Sequence, residues 1–445
     1  MSRNVSSLAK FLRAPRSSSA TGAGLSGIQA LTGKSNNIAS FRAQARLVSN
    51  VSETSSSASK YTDGLLGSLV NEQQLTQQSN PNQTVTKKPD WNRAVSDAEK
   101  IVGYPTSYLS LRCLLSDEIS NIAVHVRKLV GTSHPLLKTA KRLIYNGRNN
   151  MQTRGLIVLL LSKAAGHMNP EELEVADEQD KPAGVSHSQR SLAEITEMIH
   201  TAHLIHKGVV NLTPSDFPDG NTLQDMTFGN KIAILSGDYL LSNACTGLAA
   251  LKNSKVVELI STSISDFMEA EFIGVQDTQS NPIPTKNMAM EEWAAKNYLA
   301  AGSLMAKSCQ ATLVLAGHSE EMQQKGFEFG KQIAYSWQAH ADLQPFLDLY
   351  RCPPGTQFDL TSAPVLLHCQ EHPELLEYIQ SCGDTIDNLD FKYLHQAIMQ
   401  GPGVKQGLEL CMQHARLALD VLADFERSDA RVALENIIHA IMECD

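Results

Sequence analysis

Apolar residues between Ser191 and Val209 recur at steps of three and four, the spacing of one buried helix face. They are Leu192, Ile195, Met198, Ile199, Ala202, Ile205 and Val209. The pattern breaks at Lys207 and Gly208, and a loop rich in Pro, Asp and Gly follows. A second apolar helix is predicted to start near Phe228. The pattern therefore predicts two consecutive helices joined by a loop.

Apolar residues of helical period occur along most of the chain beyond residue 105. They predict two helices within 105–146 and others at 155–166, 256–272, 293–315, 330–346 and from 389 to the end. Strand signals are scarce, and no spacing typical of a βαβ unit is present. The predicted fold class is all-α.

The first 52 residues are basic, rich in Ser and free of Asp and Glu, since the first acidic residue is Glu53. Their basic residues are Arg3, Lys10, Arg13, Arg16, Lys34, Arg42 and Arg46. This composition predicts a mitochondrial transit peptide and a location in the matrix, with a disordered basic tail as the alternative. Residues 53–90 are rich in Ser, Gln and Asn and predict a flexible polar linker. The all-α domain is then predicted to span 91–445.

The overall composition is ordinary for a globular protein, with 42% hydrophobic and 19% charged residues. A net charge of −9 gives no reason to expect nucleic acid or an anionic membrane surface as a partner. No apolar run reaches the roughly 18 residues that a transmembrane helix needs. The eight cysteines include no C-x-x-C pair, so we expect reduced thiols.

The two central helices also carry an ordered set of polar and small residues. The first helix has Glu197, Ile199, His200, Thr201, Ala202, Leu204 and His206. The second has Phe228, Gly229, Asn230, Ala233, Leu235, Gly237, Asp238 and Leu240. In this order the pair resembles the all-trans polyprenyl diphosphate synthases, and the resemblance covers roughly Trp91 to Asp445. It implies an isoprenoid-synthase helical bundle around a central cavity.

The resemblance fails at the aspartate motifs of the family. The first motif falls on Lys207, Gly208 and Asn211. The second motif falls on Ala341, Asp342 and Pro345. Only one carboxylate is left among the six motif positions, and Pro345 is expected to end its helix a turn early.

The basic residues that hold diphosphate in the family are also reduced. Arg154 matches an arginine of the segment that binds the five-carbon substrate, so it marks a residual diphosphate-clamp position. The later lysine–threonine pair of the family falls on Ala300 and Ala301, and that lysine is absent.

Family members join an allylic diphosphate such as farnesyl diphosphate to isopentenyl diphosphate. Diphosphate leaves as an allylic carbocation forms, and Mg²⁺ held by the aspartates neutralises the leaving group. With one motif carboxylate left, we expect this chain to bind no metal and to supply no catalytic residue. The resemblance then implies a non-catalytic subunit that associates with a catalytic subunit. The catalytic subunit binds Mg²⁺, and the two form a heterotetramer that makes the ubiquinone side chain.

Two alternatives are open. One is an active synthase with a rebuilt Mg²⁺ site made of Asp342, Asp238 and acids of the insertion at 170–182. The other is a prenyl-lipid-binding protein that works without a synthase partner. Turnover by the chain alone would favour the first, and tight binding of a long prenyl diphosphate without a partner would favour the second.

Three histidines on the first central helix admit a metal site as a further hypothesis. His200, His203 and His206 stand at steps of three, and Glu197 with His200 has the Glu-x-x-His spacing of di-iron bundles. Such a site needs a second Glu-x-x-His, and the chain offers only Glu435 and His439 at a step of four. We therefore expect packed or hydrogen-bonded histidines.

Overall fold

Helices make up most of the residues that the structure describes. The computed structural model describes residues 90–103, 134–136, 153–168, 184–212, 220–285, 290–350 and 352–443. The predicted transit peptide, all of the linker except Asp90, most of 105–146 and the acidic insertion at 170–182 lie outside these residues. All described residues belong to one unit, Thr86–Asp445.

The helices are numbered in chain order. They are α1 (Trp91–Val102), α2 (Arg154–Ala165), α3 (His187–His206), α4 (Gly220–Ala250), α5 (Ser254–Ala270), α6 (Met290–Asn297), α7 (Ser303–Leu315), α8 (Glu320–Leu347), α9 (Ala363–Glu371), α10 (Pro373–Gln380), α11 (Phe391–Gln400), α12 (Gly403–Leu422) and α13 (Asp429–Met442). A short hairpin of β1 (Val275–Gln276) and β2 (Pro282–Ile283) pairs antiparallel, with Val275 opposite Ile283. The predicted all-α class is confirmed.

The directions of three helices decide where the motif positions lie. Gln189 and Thr196 of α3 hydrogen-bond to Thr312 and Ser308 of α7, so α3 and α7 run antiparallel. A short turn links α7 to α8, and the two helices pack side by side, which makes them antiparallel as well. The C-terminal ends of α3 and α8, which carry the two degenerate motifs, therefore point to the same end of the bundle.

The core is divided into a main cluster and smaller ones. α2 lies at the centre of the main cluster, where its residues from Arg154 to Ser162 are all buried, and it contacts α1, α3, α7 and α13. A helix that is apolar on all sides is stable only when surrounded in this way. A second cluster joins Phe346 at the end of α8 to α9, α10 and α11. A third lies between α3 and α4.

The structure corrects three expectations about helix boundaries. α4 begins at Gly220, well before Phe228. Val209 continues the apolar pattern of α3 but lies beyond the helix and is 39% exposed. α8 continues through Pro345 to Leu347. The missing proline N–H removes only one backbone hydrogen bond, and the backbone N–H of Asp348 donates to Gln344 O at 3.0 Å in the last turn.

The predicted helix over 293–315 is interrupted in its middle. α6 and α7 are joined by one π-helical turn, Tyr298–Gly302, in which each carbonyl is bonded one residue farther along than in an α-helix. Among the described residues, no helix is both long and apolar enough to cross a membrane.

Candidate functional site

The end of α3 is fixed against α4 by residues of the shared sequence motif. A Cβ on Gly237 would lie 2.1 Å from His206 Nε2, so the absence of a side chain allows the two helices to approach closely. His206 Nε2 lies 3.3 Å from Asp238 Oδ1. Asn230 binds the backbone of Val210 twice, accepting from its N–H at 2.9 Å and donating to its carbonyl at 2.8 Å. These contacts set the course of the chain that carries the first motif.

Each first-motif position has a contact within the protein. Lys207 Nζ lies 3.1 Å from Glu271 Oε1, just after the end of α5, and both side chains are about half exposed. Gly208 is buried, and a Cβ there would lie 3.1 Å from Ile205 O. Asn211 Nδ2 donates to Ser280 Oγ at 3.2 Å in the loop of the β-hairpin. An ammonium group therefore stands where a magnesium ligand is expected from the family.

Arg154 lies inside the protein between α2 and α3. Its Nη1 donates to His200 Nε2 at 3.0 Å, and the backbone N–H of Gly155 donates to Glu197 Oε1 at 2.8 Å. Burial lowers the pKa of Arg154 to about 10 and raises the pKa of Glu197 to about 7. With 7% of its surface exposed, Arg154 joins two helices in this structure.

The three histidines considered above as metal ligands are each in contact with neighbouring groups. His200 accepts from Arg154, and burial holds the pKa of His200 well below its usual range. His203 stacks on Phe267 of α5 with ring centroids 4.3 Å apart, and burial lowers the pKa of His203 to about 3. His206 lies beside Asp238. These contacts agree with the packing interpretation of the histidines.

Asp342 is the surviving carboxylate of the second motif, and both of its oxygens accept hydrogen bonds from the protein. Trp293 Nε1 and the backbone N–H of Ala363 donate to Oδ2, each at 2.9 Å. Gln338 Nε2 donates to Oδ1 at 2.8 Å. Burial raises the pKa of Asp342 to about 6 despite these bonds. The side chain is 9% exposed, so it points into the protein.

The other two second-motif positions carry no metal-binding group. Ala341 is exposed and has only a methyl side chain. Pro345 is half-buried, and its carbonyl lies 3.2 Å from His395 Nε2 of α11. The end of α8 is thus used to pack the second core cluster.

Sequence reasoning missed a polar cluster beside the π-helical turn. The turn contains Ala300 and Ala301, where the family carries its lysine–threonine pair. Next to it, Asp266 of α5 accepts from Ser303 Oγ and from Lys307 Nζ, the latter at 2.6 Å. No sequence signal marks this cluster, since its members lie on helices far apart in the chain.

The donor groups at the two motifs do not fit the magnesium cluster that the resemblance implies. One end offers an ammonium, a glycine and a neutral amide, and the other a single carboxylate whose oxygens are already bonded. In the part of the chain that the structure describes, no three His, Cys, Asp or Glu side chains are grouped so that they could hold a metal ion. Asp238, invoked for a rebuilt site, is exposed and lies beside His206.

Comparison with known proteins places these observations in a family. Residues 136–354 match the family described as Polyprenyl synthetase. The chain is 49% identical over 355 residues to the mouse (Mus musculus) all trans-polyprenyl-diphosphate synthase PDSS2, covering 79% of this chain and 87% of the relative. It is 30% identical over 414 residues to the probable mitochondrial hexaprenyl pyrophosphate synthase of Yarrowia lipolytica, covering 81% and 90% of the two chains.

A solved structure shows the same likeness in the fold. The apo form of an Arabidopsis medium/long-chain length prenyl pyrophosphate synthase superposes with a TM-score of 0.50 at 27% identity, covering 74% of this chain and 97% of that one. The isoprenoid-synthase fold predicted from the motifs is confirmed. The motifs also resemble the second subunit of decaprenyl-diphosphate synthase, and the match to PDSS2 bears this out. The chain belongs to the polyprenyl synthetase family.

Proposed function

We propose that this chain is a non-catalytic subunit of a heteromeric all-trans polyprenyl diphosphate synthase. The observation that carries the proposal is the state of the two motifs. Lys207 brings a positive charge to the first, and the carboxylate of Asp342 in the second is bonded to Trp293, Gln338 and Ala363. Without carboxylates to hold Mg²⁺, diphosphate would leave with its charge unbalanced.

The catalytic chemistry then belongs to a partner subunit of the same family. That partner carries both aspartate motifs, binds Mg²⁺ and joins farnesyl or another allylic diphosphate to isopentenyl diphosphate. The likeness to PDSS2 and to a mitochondrial hexaprenyl synthase supports a product used as the ubiquinone side chain. In this assembly, which we propose to be a heterotetramer, the present chain stabilises the partner or shapes the product tunnel and itself binds no cofactor.

An exposed apolar surface on α4, on α5 and just after the end of α5 supports a protein partner. We define the apolar patch as Ile234, Leu235, Met268 and Phe272, which are between 44% and 87% exposed. His206 lies 3.3 Å from Ile234 O and Lys207 lies 3.1 Å from Glu271, so both halves of the patch lie near the end of α3. Large apolar side chains grouped on a surface are typical of an interaction site.

The first experiment is an assay with Mg²⁺, farnesyl diphosphate and isopentenyl diphosphate. One reaction contains this chain alone, the second a catalytic family member from the same source alone, and the third both chains co-expressed. We expect long-chain product only in the third reaction. Product made by this chain alone would contradict the proposal and favour the rebuilt magnesium site.

A second experiment addresses the partner surface. Leu235→Lys and Phe272→Lys place charges in the apolar patch, and we expect both to abolish co-purification with the catalytic chain. Tyr393→Lys is the matched control, because Tyr393 is 50% exposed on α11, outside the patch. The patch would be excluded as the contact if all three variants still co-purified with the catalytic chain, or if only the control Tyr393→Lys failed to do so.

We also propose that residues 1–52 direct import into the mitochondrial matrix and are removed there. The mitochondrial relative supports the location. Import of the full chain into isolated mitochondria, followed by sequencing of the new N-terminus, tests this proposal. A chain that stays outside, or enters equally well without these residues, would contradict it.

A further inference from the structure

Asp342 connects three helices through one carboxylate. Gln338 lies one turn earlier on α8, Trp293 lies on α6, and Ala363 is the first residue of α9. Trp293 is 1% exposed, and its indole N–H would be left in an apolar environment without this acceptor. The bond therefore satisfies a donor that has no access to water.

The bond to Ala363 replaces a missing cap on α9. The first N–H groups of a helix have no partner inside it and are usually satisfied by the side chain at the N-cap. Ser362 occupies that position but makes no capping bond, and its buried hydroxyl has no hydrogen-bond partner. Asp342 supplies the acceptor from another helix, and its negative charge suits the positive end of the helix dipole.

The same carboxylate lies where the two larger core clusters meet. Ala363 and Leu366 of α9 belong to the main cluster, whereas Val365 and Cys369 of the same helix belong to the second. Fixing the start of α9 to α8 therefore holds the two clusters in register. A metal ion bound to Asp342 would have to displace these donors.

We propose that Asp342 is a positioning residue that fixes Trp293 and the start of α9 to the second-motif helix, and that this role, rather than metal binding, accounts for its place in this chain. The role goes beyond the proposed function and does not depend on whether a partner subunit exists. Among the described residues, the charge of Asp359 opposes the ionisation of Asp342, and Lys296 Nζ donates to Thr361 Oγ1, two residues before Ala363.

The test compares Asp342→Asn with Asp342→Ala in the full chain. Asparagine keeps an oxygen for Trp293 and Ala363, whereas alanine removes every acceptor. We expect Asp342→Asn to melt at or above the temperature of the unaltered chain and, in the co-expressed complex, to keep activity within about twofold of it. We expect Asp342→Ala to lower the melting temperature by several degrees or to prevent folding. Asp97→Asn, on an exposed face of α1, is the control for removal of one carboxylate.

A spectroscopic readout separates this role from general packing. The chain has three tryptophans, so the indole N–H signal of Trp293 is assigned in ¹⁵N spectra as the one missing in Trp293→Phe. We expect this signal to shift with pH in the unaltered chain as Asp342 titrates, and to stay constant in Asp342→Asn.

Three results would overturn the proposal. Asp342→Asn could fold normally yet reduce the activity of the complex more than about tenfold, which would give Asp342 a part in the chemistry. Asp342→Ala could leave the melting temperature unchanged. The Trp293 signal could fail to respond to Asp342. If the complex had no activity at all, the proposed function would fail, but the melting and spectroscopic measurements would still decide the role of Asp342.

Discussion

At the end of α3 the first-motif position Lys207 reaches outward, whereas at the end of α8 the surviving carboxylate of the second motif points inward. Lys207 is about half exposed and pairs with a single exposed glutamate. Asp342 is 9% exposed and accepts from three donors on three helices. The first end presents no carboxylate at its motif positions, and the second presents one whose two oxygens are already bonded within the protein. A single carboxylate at a motif position therefore does not by itself indicate a metal site, because its oxygens can be bonded to groups of the protein.

The largest expected difference between the two ends is in packing. Phe346, one residue after Pro345, is 1% exposed, and its ring centroid lies 5.1 Å from that of Phe358. We expect Phe346→Ala to lower the free energy of unfolding by about 3–5 kcal/mol, since it leaves a cavity in the second core cluster. Val209→Ala, at the other end, is expected to change it by less than about 0.5 kcal/mol. Urea unfolding measures the free energy of unfolding of both variants. Equal losses of stability in the two would contradict this difference in packing between the ends.

The two ends are also expected to respond to pH with opposite sign. The pKa of His203 is lowered from 6.5 to about 3. Between these two pH values the folded protein binds fewer protons than the unfolded chain, so its stability falls as the pH falls. The pKa of Asp342 is raised from 3.8 to about 6. Between these two pH values the folded protein binds more protons than the unfolded chain, so its stability falls as the pH rises.

Two variants isolate these contributions. His203→Phe keeps a ring against Phe267 and should gain stability relative to the unaltered chain as pH is lowered from about 6.5. Asp342→Asn should gain relative to the unaltered chain as pH is raised from about 4 to about 6. At about 1.4 kcal/mol for each unit of pKa shift, we expect a relative change of about 5 kcal/mol for His203→Phe and of about 3 kcal/mol for Asp342→Asn. If the stability of both variants relative to the unaltered chain changed in the same direction with pH, this difference between the two ends would be refuted.

The sequence predicted the helices and the motif positions but not what the motif residues contact. Apolar periodicity locates a helix because it is a local property, and it placed α3 and α8 correctly except at their ends. The bonds of Asp342 to Trp293 and Ala363 join residues 49 and 21 positions away, so no local pattern contains them. The same holds for Lys207 and Glu271, which meet because α5 returns beside α3. α8 continues through Pro345, and Phe346 beyond it is buried in a cluster of distant residues, which is a tertiary contact that no local pattern contains.

The ion pair at the first end is expected to contribute little stability. Lys207 and Glu271 are 49% and 47% exposed, so water and salt screen their attraction. A double-mutant cycle with Lys207→Met, Glu271→Gln and the double variant should give a coupling of at most about 1 kcal/mol, which decreases as salt is added. A larger coupling that salt does not weaken would make this pair a structural anchor comparable to Asp342.

The smallest effect is expected from restoring the first motif alone. The triple variant Lys207→Asp, Gly208→Asp, Asn211→Asp returns three carboxylates to the end of α3, yet the opposite helix still presents Ala341, the bonded Asp342 and Pro345. Because the allylic diphosphate needs carboxylates from both helices to hold Mg²⁺, we expect no turnover by the folded variant without a partner. Circular dichroism and the melting temperature establish folding, and product is measured with farnesyl and isopentenyl diphosphate at several Mg²⁺ concentrations. Magnesium-dependent product from this variant alone would mean that the end of α8 can still bind metal, and that the inward position of Asp342 does not prevent it.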